Sequence, residues 1–277
     1  MKSANILHLK IEELLPLVNW KMFFYTWKIQ GMYLENFPYS QKPEDIKNWK
    51  ESLPEDLKQK GEEALDVYKK ALEIISEIIE REIFDGRAAF VFLDAFSDDN
   101  NIYIGQKMFP MLRQQKEGSE YLSVADFIGS EGEGDKIGLF AVTAGRCWEQ
   151  IKDSKVGEDD TYTELVAQAV ADRVAEASAE WLNRKLGKGI RPAWGYPMLP
   201  DQKLILETKE FLPYEKLGIT LTENGAMQPS SSISGLYINS SEAHYFMIGE
   251  IGDDQLQDYA ERRGEKFETM KLLLRQS

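Results

Sequence analysis

Residues Gly189-Ile190-Arg191-Pro192-Ala193-Trp194-Gly195-Tyr196-Pro197-Met198-Leu199-Pro200 carry three prolines and a central glycine. Proline fixes φ and removes a backbone donor, so this stretch is neither helix nor ladder strand but a stiff irregular loop. A rigid backbone, a glycine that permits close approach, the guanidinium of Arg191 and the ring of Tyr196 together suit a zwitterionic, aromatic ligand. The same composition also suits a loop that only lids a core. A second candidate is the row Asp172, Glu176 and Glu180, spaced four apart on one face of a helix. It reads either as a solvated acidic face or as a charged wall opposite a ligand.

Several elements must position these groups. Pro54 with Glu55 and Asp56 opens a helix, and apolar residues at helical spacing from Leu57 to Ile79 carry it to about Phe84. Asp159 to Lys188 predicts a second long helix, with Val166, Val170, Val174, Ala177 and Trp181 on one stripe. Leu14 to Leu34 is dense in aromatics and reads as core. Strands are expected at Arg87 to Phe96, Asn101 to Ile104, Ile137 to Thr143, Ile219 to Thr222, Ser234 to Ile238 and Tyr245 to Ile251. The hairpin around Asp98-Asp99-Asn100-Asn101 is expected to use a loop longer than two residues. Helices are expected at Gln202 to Phe211 and from about Asp253. The Gly/Glu-rich stretch Gly129 to Gly134 lacks the Gly-Lys-Ser/Thr ending of a phosphate-binding loop and reads as a surface loop. Long helices with clustered short strands, and no Gly-x-Gly-x-x-Gly after a strand, give class α+β rather than a doubly wound sheet.

Composition narrows the function classes. Across 277 residues, 33 Lys plus Arg stand against 47 Asp plus Glu, a net charge of -14 that repels nucleic-acid phosphates and anionic lipid. Nucleic-acid and membrane partners are therefore not expected. One cysteine, Cys147, and two histidines, His8 and His244, leave no intramolecular disulfide and no Cys/His zinc cluster. Glu12, Glu13 and Pro16 interrupt the apolar residues of the N-terminal stretch, and no apolar run approaches the roughly 20 residues of a membrane span, so a cytoplasmic location is expected.

The Pro-rich segment resembles the Arg-Pro-Ala-x-Gly-Tyr-Pro-x-x-Pro motif of the reactivation (activation) domain of vitamin B12-dependent methionine synthase. Asn19 to Trp27, Leu112 to Gln115, Ala125-Asp126-Phe127, Gly138 to Thr143 and Ala171 to Ala177 accompany it in the family's order. Leu221 to Asn224, Ser234 to Tyr237, Tyr245-Phe246 and Asp254 to Ala260 complete a collinear set. The resemblance implies a helmet-shaped α+β domain over the whole chain, with long helices packed around a twisted antiparallel sheet. It implies a subunit that binds S-adenosylmethionine and supports reductive methylation of an inert cob(II)alamin. The cobalamin would be carried by a separate methionine synthase chain, because no cobalamin-binding Asp-x-His-x-x-Gly occurs here, and a flavodoxin-like donor would supply the electron. Carried over by position, Arg191 would take the ligand carboxylate, and Ala193, Gly195 and Tyr196 the adenosine and sulfonium. Tyr245 and Phe246 would close the other side, and Glu176 would face the cationic end. Asn19 stands where the family has Asp, an amide in place of a charge. No residue of the chain need act as acid, base or nucleophile. Two alternatives stay open: a non-catalytic ligand-binding or scaffold protein that kept the fold, and a reactivator of another corrinoid methyltransferase. Arg262, Arg263, Lys266, Lys271 and Arg275 are expected to form either a basic docking patch for an acidic electron donor or a solvated helix face.

Overall fold

A computed structural model of the chain describes residues 3–153, 161–187 and 189–274, which leaves Asp159, Lys188 and Arg275 of the expectations above outside the described residues. Strand β1 (Asn5–His8) precedes helices α1 (Ile11–Leu14), α2 (Trp20–Thr26), α3 (Pro43–Ser52) and α4 (Lys58–Glu80). Strands β2 (Arg87–Asp98), β3 (Asn101–Ile104), β4 (Lys107–Pro110) and β5 (Lys136–Thr143) follow, then α5 (Cys147–Asp153) and α6 (Thr161–Leu186). Beyond the Pro-rich loop come β6 (Thr220–Leu221), β7 (Met227–Gln228), β8 (Ser232–Tyr237), α7 (Asp253–Arg263) and α8 (Phe267–Leu274).

The class is α+β, and the main sheet is a curled antiparallel one ordered β4-β3-β2-β5-β8. Strand β2 is long enough to pair β1 through Arg87 to Phe90 and β3 through Ala95 to Asp98 on one edge, while β5 lies along the other. Period-two alternation splits its side chains between two cores. Ala88, Phe140, Val142 and Ile233 pack towards α2, α4 and α6, whereas Ala89, Val91, Leu139, Ala141 and Leu236 pack under the chain from Trp194 to Ile219. Helix α6 buries Val166, Val170 and Val174 together with Ala167, Ala171 and Ala175, whose small side chains let it lie close against β5 and β8. Packing of this face on β5 and β8 leaves the neighbouring face of α6, which carries Glu176, along a cavity.

Four expectations need correction. Asp98 pairs with Asn101, so the hairpin closes in two residues; Asp99, at φ 51°, takes the left-handed conformation that its short polar side chain tolerates. Leu14 to Leu34 is core only in part: Phe23, Phe24 and Leu34 are buried, but Met22 and Tyr25 are exposed because α2 is short and offers a single inward face, and Met32, at the start of a 3-10 helix beyond it, is exposed too. Gln202–Thr208 is a 3-10 helix, held by the Asp201 cap on the Lys203 N–H, and Tyr214–Leu217 is another. Tyr245 to Ile251 is not a strand. It is irregular, with Gly249 in the left-handed region at φ 75°, and it bonds to the Pro-rich loop, the Ile248 N–H donating to the Pro197 carbonyl at 3.0 Å.

The second core contains a phenol with a pH consequence. Tyr214 is 5% exposed, its hydroxyl 2.7 Å from Thr208 Oγ1 and 2.8 Å from Ser234 Oγ. Burial pushes its pKa up to about 12. The unfolded phenol ionises near ~10. Between those values the unfolded state holds fewer protons, so stability present below pH ~10 is lost as pH rises. Melting temperature is expected to fall between pH 10 and 12, and less so in Tyr214→Phe, as circular dichroism would record. A fall identical in the variant would contradict this.

Candidate functional site

The Pro-rich loop is stitched to β8 rather than left free. Ile190 and Ile238 exchange backbone hydrogen bonds at 3.0 and 2.9 Å, the Leu236 N–H donates to the Pro192 carbonyl at 2.9 Å, and the Trp194 N–H to the Ser234 carbonyl at 3.0 Å. Such close approach requires Gly235, where a Cβ would stand 2.1 Å from the Pro192 oxygen. Gly195, at φ 84°, turns the chain so that its N–H reaches the Leu199 carbonyl at 2.8 Å. Both readings of the loop hold at different residues. Trp194 lids the core, stacked on Phe109 at 6.1 Å, while Arg191, Ala193 and Tyr196 turn the other way. Gly235→Ala should therefore destabilise the protein by about 2–3 kcal/mol through overpacking, measured by urea unfolding. Unchanged stability would show that the loop can lift off β8 freely.

Arg191, Ala193 and Tyr196 face a cavity of about 530 Å³ closed by α6 and by Tyr245 and Phe246. That size is ordinary for a small-molecule site. Glu176, Glu180 and Asn183 project from α6 at the i, i+4, i+7 spacing of one helical face. The Tyr196 hydroxyl donates to Glu176 Oε1 at 2.8 Å; burial first, then the Glu176 charge, raises its pKa well above the ordinary phenol value. The Tyr245 hydroxyl accepts the Arg191 backbone N–H at 2.8 Å. The Arg191 guanidinium sits 3.7 Å from Glu176 and 3.9 Å from Glu180, too far for hydrogen bonds. Glu180 gives its short contact, 2.8 Å, to Arg184. Arg191 is thus electrostatically balanced, yet its N–H fork is left for another acceptor.

The acidic row is therefore no solvated face. Asp172 accepts from Gln168 at 2.8 Å and from Ser231 at 2.7 Å, tying α6 to the start of β8, while Glu176 and Glu180 flank Arg191. Of the residues singled out from sequence, Glu176, Arg191, Ala193, Tyr196, Tyr245 and Phe246 come together around this cavity. Gly195 lines an adjoining hollow that shares Tyr196, Pro197 and Met247. Asn19 is exposed and caps α2, accepting the Met22 N–H at 3.2 Å; it is not part of the lining. Asn183, Gly189, Met198 and Ile233 line the cavity and were not nominated from sequence, although the spacing from Glu176 through Glu180 points to Asn183.

Among the described residues, Arg262, Arg263 and Lys271 of the expected basic cluster are engaged within the protein. Arg262 donates to the carbonyls of Asn100 and Met111, and Arg263 donates to Asp201 at 2.8 Å with only 10% of its side chain exposed. Lys271 lies over the Phe267 ring. Arg262 and Arg263 thus anchor α7 to the body of the protein, while the Lys271 contact stays within α8.

The profile described as vitamin B12 dependent methionine synthase, activation domain, matches residues 10–264. The chain belongs to that family. Among solved structures, the MetH reactivation domain bound to AdoHcy is similar to it, at 27% identity and a TM-score of 0.80, covering 98% of this chain and 89% of that one. This activation domain thus shares its curled sheet and long helices with a protein crystallised with S-adenosylhomocysteine. Among its described residues no helix is long and apolar enough to cross a membrane.

Proposed function

We propose that this activation domain binds S-adenosylmethionine in the cavity between α6 and the Pro-rich loop, and presents it to a cobalamin held by a B12-dependent methionine synthase chain. One observation carries the reading: the Arg191 guanidinium is neutralised by Glu176 and Glu180 but hydrogen-bonded to neither. A ligand carboxylate can take the free fork, and the displaced pair of acids then faces whatever positive charge the ligand also carries. Two carboxylates beside the Arg191 guanidinium, with Arg184 paired to Glu180, put both signs of charge on one wall, which suits a zwitterionic ligand. The ring of Tyr196, held by Glu176, and the ring of Tyr245, held by the Arg191 backbone, offer faces to a sulfonium or a purine.

The ligand's sulfonium would supply the methyl group, and an electron from a flavodoxin-like donor would balance the methylation of the partner's cob(II)alamin. This chain contributes binding, orientation and charge. Asn19 does not argue for a fold that has lost its ligand, because the residue caps a helix outside the cavity lining and its amide in place of a carboxylate removes no charge from that wall. The test is methyl transfer from isotopically labelled S-adenosylmethionine to a cob(II)alamin-loaded methionine synthase lacking its own activation domain, with a one-electron reductant. Label should appear on the corrinoid only when this protein is added. Label at the same rate without it would overturn the proposal.

A further inference from the structure

Asn183 is the one wall residue of α6 with an unanswered polar atom. Its Oδ1 is buried with no hydrogen-bond donor in reach. Glu176 accepts from Tyr196, and Glu180 accepts from Arg184. A buried amide oxygen without a partner is unfavourable by roughly 1–3 kcal/mol, and such atoms are rare enough to require an explanation. Its position suggests one. The loop runs antiparallel to α6 along the cavity, so that Tyr196 meets Glu176, Arg191 lies between Glu176 and Glu180, and Gly189 and Asn183 share the far end. Seven residues of helix separate the two ends, about 10 Å. An elongated ligand with its carboxylate at Arg191 and its nucleoside towards Tyr196 would have its α-amino group on the Glu180 and Asn183 side of the cavity.

We infer that Asn183 is a specificity residue for the α-ammonium of the ligand's amino-acid moiety, its side-chain amide turning about χ2 to present Oδ1 as an acceptor. The inference rests on the binding reading above. It assigns the amino-acid end of the cavity to Arg191 for the carboxylate and Asn183 for the ammonium, and leaves the nucleoside to the Tyr196 end. A charge-assisted hydrogen bond to the ammonium would satisfy that oxygen.

The test compares two ligands on wild-type protein and on Asn183→Leu by calorimetry, with thermal unfolding of both proteins alone. S-adenosylhomocysteine carries the amino acid, and 5′-methylthioadenosine lacks it. The variant is expected to bind S-adenosylhomocysteine at least tenfold more weakly, to bind methylthioadenosine as wild type does, and to melt no lower than wild type because an unpaired polar atom has been removed. Equal loss for both ligands would overturn the amino-acid assignment, as would unchanged affinity for S-adenosylhomocysteine. A lower melting temperature with unchanged discrimination would make Asn183 structural. Should wild-type protein bind neither ligand, the binding proposal itself fails, an outcome separate from the others.

Discussion

Arg191→Ala is expected to weaken binding of S-adenosylmethionine by about 100-fold, close to 3 kcal/mol, with little change in melting temperature. Two effects add. The variant loses the fork that no protein acceptor uses, and it leaves Glu176 and Glu180, side by side on one face of α6, without the guanidinium that flanks them both. The second effect would favour the ligand's positive groups but would repel its carboxylate. Arg191→Lys keeps the charge without the planar fork, so its affinity should fall between the two. Calorimetric titration checks the series. Equal affinity in all three proteins would place the ligand somewhere other than against Arg191.

The largest expected effect on stability lies at the far end of the same loop. Asp201 follows Pro200 and is 1% exposed, yet its carboxylate accepts from Tyr259 Oη and Arg263 Nε, each at 2.8 Å, and from the Lys203 N–H at 2.9 Å. It joins the loop, the 3-10 helix after it and α7 at one buried point. Burying a charge is unfavourable unless it is paired, and removing one partner strands the other. Asp201→Ala would leave the Arg263 guanidinium, already 3.9 Å from Glu207, without its close counter-charge and the Tyr259 hydroxyl without an acceptor. A loss of about 3–5 kcal/mol is expected, read from urea unfolding. Asp201→Asn, which keeps shape and acceptor but not charge, should lose less. A loss under 1 kcal/mol in the alanine variant would mean that α7 is held by its apolar contacts alone.

Much of this arrangement is legible in the sequence, for identifiable reasons. Prolines 192, 197 and 200 exclude regular structure wherever the chain folds, so the stiffness of the loop needs no tertiary information. The stripe through Val166, Val170 and Val174 fixes which face of α6 is buried and so places Glu176 beside it. What the sequence does not disclose depends on partners distant along the chain. Tyr245 to Ile251 has the composition of a strand, but its backbone groups go to other partners, Ile248 to Pro197 of the Pro-rich loop and Met247 to the Gln114 side chain, and Gly249 turns left-handed beside them. Arg262 and Arg263 look like a basic surface until the carbonyls of Asn100 and Met111 and the carboxylate of Asp201 are brought to them from up to 162 residues away. Asn19 matched a motif by position, and its side chain was taken up locally as a helix cap. Asn183 was open to view at the i+7 position from Glu176, but an unpaired amide is a fact of packing that no spacing shows.

The central claim is that the cavity between α6 and the Arg191 loop holds S-adenosylmethionine. Calorimetric titration of the wild-type protein with S-adenosylhomocysteine, alongside Glu176→Gln, tests it most directly. Saturable one-to-one binding is predicted, with altered affinity in the variant because Glu176 holds Tyr196 and flanks Arg191. No heat of binding at millimolar ligand, or binding that Glu176→Gln and Arg191→Ala both leave untouched, would contradict it.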